Sequence, residues 1–314
     1  AAPQREVFDL NQAVQDMLAL SRNELDQHQV DVALLLDADL PPVFADPVQV
    51  QQVIGNLLLN AVDAMALLPP AERRVALATA RDGGVSRGPY DDGKGGGGLN
   101  LGLHVADDGE HVHENRARLQ AWLPGAPAWI AQVHGAEVVD AALAGPGRPT
   151  CTGDASIATQ PGVVCAILTA DCLPVLFADL DGNVVGAAHA GWRGLAGGVL
   201  GQTVAAMRAA GAGEITAWMG PAIGPASFEV GQDVIDAFMA ALPDAATRDC
   251  FTDYPDRPGK YLADMFTLAR LMLARDGVTR VHGGGICTAS APARFYSYRR
   301  DGVTGRQASL IWLK

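Results

Sequence analysis

The chain has 314 residues, 49% of them hydrophobic and 18% charged. That is enough to bury the core of one large domain or two ordinary ones, and too apolar for disorder. A formal net charge of −12 argues against nucleic acid or an anionic membrane as partner, since both are bound by clustered Lys and Arg.

Residues 9–28 carry apolar positions at helical spacing, with Asp9 or Asn11 available as N-cap. VDVALLLDADLPPVFAD reads as a strand, a proline-marked turn and a short extended piece. Asp46-Pro47 opens a helix that runs through QVIGNLLLNAVDAM to about Met65. RVALATA (residues 74–80) is a strand by its alternation. RDGGVSRGPYDDGKGGGGLNLG holds a glycine run whose entropy cost in a regular element predicts a mobile loop. Beyond it, VVCAILTA, PVLFADLDGNVVGAAHA and EITAWMG read as strands, and helices are expected over 112–122, 197–210, 230–242 and 264–276. The segment VVCAILTADCLPVLFADL is broken by Asp171 and Pro174, and no apolar run approaches the ~20 residues of a membrane span. The N-terminal AAPQREVFDL lacks the charged leader and apolar region of a signal peptide. Five cysteines in no regular framework suit a reducing, cytoplasmic setting better than a disulfide scaffold.

The segment from VFDLNQ to AVDAM resembles the start of the catalytic domain of nitrogen-regulation-type sensor histidine kinases. In that family the asparagine matching Asn60, or nearby Asn56, helps hold Mg²⁺ against ATP phosphates. The phospho-accepting helix and the Asp-x-Gly-x-Gly adenine box are both missing, so ATP binding is not expected and Asn60 is a vestigial candidate. The plain reading is an amphipathic helix with its polar face outward.

Three stretches carry unusual chemistry. QVHG places His134 at a strand end, TADCLP places Cys172 at a polar break between apolar strands, and HAGWRG places His189 at the end of another strand. One Cys and two His make a zinc set that leaves a fourth position for water, as in catalytic zinc sites. The alternatives are a small buried hydrophobe for the cysteine and ordinary hydrogen-bonded histidines. From about residue 78 onward, GGVSRGPY, LNLGLHVADD, ENRARL, WIAQVHGAEVV, TADCLPVLFAD, HAGWRG, MGPAIGPASFEVG, ICT and FYSYRRDGVTGRQASLIWL resemble, in order, the YfiH/YlmD-type laccase-domain family.

That resemblance implies an α+β fold, an α/β/β/α layered sandwich, over residues 76–314, preceded by the kinase-like fragment of residues 1–75. It implies zinc held by residues matching His134, Cys172 and His189, with copper as the alternative. The implied reactions are phosphorolysis of purine nucleosides, deamination of adenosine and cleavage of methylthioadenosine; polyphenol oxidation is the alternative. The partners would be a nucleoside and phosphate. Arg116 and then Arg193 are the candidates to bind phosphate bidentately, Asn100 to orient phosphate or ribose, and Asp171 to act as base or orienting carboxylate. Trp192 is a candidate to stack on a purine. Seven histidines with one His-x-His pair, at His111 and His113, do not supply a trinuclear copper cluster. A thiol hydrolase built on Cys172 and a histidine is a further alternative. The glycine run is longer than the family's short link from GPY to LNLG, and it bears on substrate entry.

Overall fold

The computed structural model describes residues 6–8, 12–13, 16–17, 43–45 and 76–313, except 146 and 256. The chain divides into two compact units, Ala1–Arg73 and Arg74–Lys314. In the first, β1 (Glu6–Phe8) pairs antiparallel with β2 (Val43–Ala45), and Gln12, Ala13, Asp16 and Met17 are helical. Asn56, Asn60 and the helix expected over 47–65 lie outside the described residues, and the kinase-like reading of the leader with them.

The second unit begins with β3 (Ala76–Ala78), β4 (Asp82–Ser86), α1 (Gly109–Gln120), β5 (Pro127–Ala128), β6 (Val138–Asp140) and β7 (Ala155–Ala158). It continues with β8 (Val164–Thr169), β9 (Leu173–Asp179), β10 (Val185–Ala190), α2 (Trp192–Ala196), α3 (Val199–Ala209), β11 (Ile215–Met219) and β12 (Glu229–Val230). The rest is α4 (Gln232–Ala241), α5 (Ala245–Asp249), β13 (Phe251–Asp253), β14 (Tyr261–Ala263), α6 (Met265–Arg275), β15 (Arg280–Gly283), α7 (Tyr298–Asp301) and β16 (Gln307–Trp312). Two sheets organise it, one in the order β15-β11-β9-β10-β7-β6 and one in the order β3-β16-β8-β5; β12, β14 and β13 form a small third.

The two large sheets stack because their central strands are apolar on both faces. In β8, Cys165 and Ile167 join Leu176, Val185, Ala187 and Ile311 in the layer between the sheets. The alternate residues Val164, Ala166 and Leu168 pack outward with Leu119 of α1 and Leu310 of β16. The run VCAILT therefore shows no polar alternation: each of its faces has a partner layer. On the far side of the six-stranded sheet, Val175 and Phe177 meet Val204 and Met207 of α3, Phe238 of α4 and Leu268 and Met272 of α6. The layers run helix, sheet, sheet, helix. Among the described residues no helix is long and apolar enough to cross a membrane.

The helix ends follow local capping chemistry. Asp264 accepts from the Phe266 and Thr267 amides and starts α6, and Asp108 accepts from Glu110 and starts α1 three residues earlier than periodicity alone predicts. The larger difference is the glycine segment. Residues 82–98 form a packed backbone crossing in place of the expected mobile loop. A Cβ on Gly84, Gly97 or Gly98 would collide with the carbonyl oxygen of Gly98, Gly84 or Tyr90 respectively. Asp91 and Asp92 fix the intervening turn by accepting from the amides of Gly93, Lys94 and Gly96. The glycines serve close approach, which offsets the entropy that ordering them costs.

β3 adds to the edge of β16, pairing Ala78 with Ser309. Thr79 extends the ladder, donating from its amide to Ala308 O and accepting from the Ala308 amide at its hydroxyl. A chain starting at Arg74 should therefore show one cooperative thermal transition. A chain starting at Asp82, stripped of β3, Thr79 and Arg81, should melt lower by about 5 °C or more. Differential scanning calorimetry of the two distinguishes them, and equal melting would show that the edge strand is dispensable.

Candidate metal and active site

Three strand ends of the second unit converge. His134 lies in the turn after β5, Cys172 in the tight link between β8 and β9, and His189 near the end of β10. One ligand atom from each lies within 4.8 Å of the others. Cys172 Sγ is 3.8 Å from His134 Nε2, and the two imidazole rings meet edge-on with centroids 4.8 Å apart.

Asp154, fully buried just before β7, holds this arrangement. Its carboxylate accepts from the backbone amides of Val133, His134 and Gly135 at 3.1, 2.9 and 2.7 Å. It also accepts from His189 Nδ1 at 2.8 Å, and its carbonyl accepts from the His189 amide at 2.7 Å. The Nδ1 hydrogen of His189 is thereby committed, so its Nε2 lone pair is the one left to coordinate. The same carboxylate holds the 133–135 turn in which His134 adopts φ +62°, a left-handed conformation uncommon for a side-chain-bearing residue. Gln132 pins the preceding residue by exchanging two hydrogen bonds with the Leu168 backbone.

Electrostatics favour a thiolate–imidazolium pair, from which metal binding would displace the His189 proton. Burial opposes ionisation of the Cys172 thiol, yet the hydrogen bonds and charges of His134 and His189 outweigh it and bring the thiol down to about 6. Burial likewise opposes the His189 imidazolium, and Asp154 and Cys172 outweigh it, raising the ring to about 9. Asp154, despite burial, is held down at about 2 by His189 and the turn amides. A thiolate, a histidine fixed by a buried carboxylate and a second histidine on a braced turn are a donor set that suits zinc or copper. Gly191 leaves the room it needs: a Cβ there would lie 2.9 Å from His134 Cδ2 and 3.1 Å from Cys172 Sγ.

The other expected residues divide. Asp171, at φ +88°, adjoins Cys172, and its carboxylate accepts from Thr288 Oγ1 and the Arg299 amide, both at 2.6 Å. It braces the loop that carries the cysteine. Asn100 is fully buried and its amide is engaged with Gly102, Asp107 and the Arg306 backbone. Arg116 spends Nε and Nη2 on Leu101 O and stacks over Trp129. Arg193 is exposed, lies over the Trp192 ring at 4.3 Å, and makes no ion pair among the described residues. One face of Trp192 is thus already covered.

Sequence reasoning passed over Asp154, His104 and Arg306. The signal for Asp154 was weak, a Gly-Asp pair before a short strand, since three of the four donors to its carboxylate are backbone amides. His104 and Arg306 sat inside quoted motifs. Their placement at the site becomes visible only from the fold, where His104 feels the charges of Arg306, Arg116 and His189.

Two substitutions test this construction. Asp154→Asn should lower metal affinity about 10–100-fold, read by competition with a chromophoric chelator; unchanged affinity would exclude the carboxylate as the organiser. Gly191→Ala sits at φ −61°, where alanine has no backbone penalty. It should keep the fold by circular dichroism while losing stoichiometric metal, and full metal content would mean that the ligands have slack.

Residues 75–314 match the family model described as multi-copper polyphenol oxidoreductase laccase. The chain is 53% identical over 246 residues to a purine nucleoside phosphorylase of Pseudomonas aeruginosa, covering 78% of this chain and 96% of the relative. It is 49% identical over 247 residues to the purine nucleoside phosphorylase YfiH of Escherichia coli, again covering 78% and 96%. Among solved structures it is similar to a Neisseria meningitidis protein, with TM-score 0.71 and 49% identity over 79% of this chain and 96% of that one. It is also similar to YlmD from Geobacillus stearothermophilus, with TM-score 0.68 and 34% identity over 78% and 94%. The chain, through residues 75–314, belongs to the multi-copper polyphenol oxidoreductase laccase family.

Proposed function

We propose that the protein is a zinc-dependent purine nucleoside phosphorylase that also deaminates adenosine and cleaves methylthioadenosine. The observation that carries the reading is the convergence of His134, Cys172 and His189 on one point, in a chain about half identical to proteins named purine nucleoside phosphorylase. Zinc bound there would supply Lewis acidity and lower the pKa of water toward neutrality. The chain's own residues supply the rest. Asp154 keeps the His189 ring in the tautomer and orientation a ligand needs. Asp171 and Thr288 fix the Cys172 loop. Arg193, exposed and unpaired, is available to an anionic substrate group. Val133 and Leu103, neighbours of His134 and His104, are exposed apolar side chains that a flat base would cover, with favourable desolvation.

Copper oxidation is the less favoured chemistry. Among the described residues His134, Cys172 and His189 form the one cluster of three or more ligands, and a trinuclear copper centre requires several. A second reading has one observation in its favour: a low-pKa thiol 3.8 Å from an imidazole is also a nucleophile and base. Inactivation by iodoacetamide with indifference to chelators would select it. The kinase-like leader is proposed as a fused segment joined near β3, with no catalytic part.

The test is incubation of metal-analysed protein with adenosine, with and without phosphate, and chromatographic separation of the products. Adenine and ribose-1-phosphate only when phosphate is present, and inosine without it, are expected. No product from protein carrying one zinc per chain would overturn the reading.

A further inference from the structure

Arg306, at the entry to β16, is unlike the other arginines around the site. Its backbone amide donates to Asn100 Oδ1 at 2.8 Å, the same oxygen that receives the Gly102 amide at 3.0 Å. Its stem lies over Gly102, where a Cβ would come within 2.8 Å of Arg306 Cγ. Nη1 donates to the carbonyls of Thr304 and Gly305 at 3.1 and 3.0 Å. The guanidinium is therefore held from three sides. Nε and Nη2, the edge that matches two oxygens of a tetrahedral anion, have no partner among the described residues. Arg116 presents the opposite case, with that same edge spent on Leu101 O.

The surroundings point the free edge toward chemistry. Burial weakens the Arg306 cation, and the first groups whose negative charge sustains it are Cys172 and then Asp171. Asp171 is already engaged with Thr288 and Arg299, and Arg306 forms no ion pair among the described residues. On the other side, His104 is held below its ordinary value by burial and by the positive charges of Arg306, Arg116 and His189. In a chain of net charge −12, Arg306 keeps the Nε and Nη2 edge of its guanidinium free of any carboxylate among the described residues. A fixed, half-buried, unpaired guanidinium fork costs desolvation energy that an anion would offset.

We propose that Arg306 is the oxyanion anchor of the site and binds inorganic phosphate beside Cys172. The inference rests on the phosphorylase reading for its biological use, but not for the binding itself. Asn100 and Gly102 are then positioning residues, one fixing the Arg306 backbone and the other leaving space for its stem.

The test uses the full chain and inorganic phosphate, with chloride balancing ionic strength. Arg306→Met keeps the stem and removes the fork, Arg306→Lys keeps the charge, and Arg118→Met removes an exposed arginine from α1 as control. Metal content and circular dichroism establish that each variant is folded and loaded. Phosphate should raise the Tm of the parent and the control but not of Arg306→Met. The KM for phosphate should rise about 10–100-fold in Arg306→Met, the cost of one charge-assisted bidentate contact, with the nucleoside KM within threefold. Arg306→Lys should fall between. Phosphate protection that depends on Arg306 in a protein making no ribose-1-phosphate would sustain this inference and sink the phosphorylase reading. Phosphorolysis with unchanged phosphate KM in a folded, loaded Arg306→Met would do the reverse. If the Met variant were to lose its fold, the same two readings on Arg306→Lys decide: unchanged phosphate KM and Tm shift there overturn the proposal only if Arg306→Gln, which also lacks the fork, shows them unchanged as well.

Discussion

A single buried carboxylate sets the geometry on which the rest of the site depends. Asp154 accepts from three consecutive amides of the His134 turn and from the His189 ring, so two ligands from distant parts of the chain share one anchor. Such a group is expensive to bury unless every lone pair is used, and here they are used. The arrangement explains why His134 can rest at a positive φ: the amide bonds to Asp154 over-determine the turn. It also explains why the cysteine loop needs its own brace, Asp171, because Cys172 arrives from the other sheet side and gains nothing from Asp154.

The electrostatic character of the site runs against that of the molecule. An acidic surface would repel an anionic substrate at long range, though salt screens that field within about 8–10 Å. At the site two cations stand against that field: Arg306 has no carboxylate bonded to it among the described residues, and Arg116 bonds only to the carbonyl of Leu101. Specific recognition at such a site is a matter of where the few cations stand, and net charge says little about it.

How much of this the sequence discloses depends on the kind of signal. His134, Cys172 and His189 were legible because each stands at the polar end of an apolar strand, with Gly135 next to His134 and Gly191 two residues after His189. The layered strands were legible from VCAILT and its neighbours, and α6 from its Asp cap and apolar spacing. Asp154 was not, because three of the four donors to its carboxylate are backbone amides, which leave no mark in side-chain identity. The glycine run was misread for a physical reason: composition reports the entropy of the unfolded chain, whereas Gly84, Gly97 and Gly98 are chosen by a backbone crossing visible only once folded. Arg116 and then Arg193 were the arginines the sequence put forward as anion binders, and Arg306 was not among them. Only the fold reveals that Arg116 has spent its fork on a carbonyl.

The position of β16 has a kinetic consequence. It lies between β3 and β8, so the sheet centre joins Ala78 to Ser309, and the same strand carries the bond from the Arg306 amide to Asn100, 206 residues away. Contacts of such separation carry a loop-closure cost before they return any stability, and folds dominated by them form slowly. Before β16 inserts, helices α3, α4 and α6 can already collapse on the six-stranded sheet, and the metal ligands can already meet. A partly folded chain could therefore hold metal while lacking its anion pocket. Completion of the anion pocket would then follow assembly of the metal ligands.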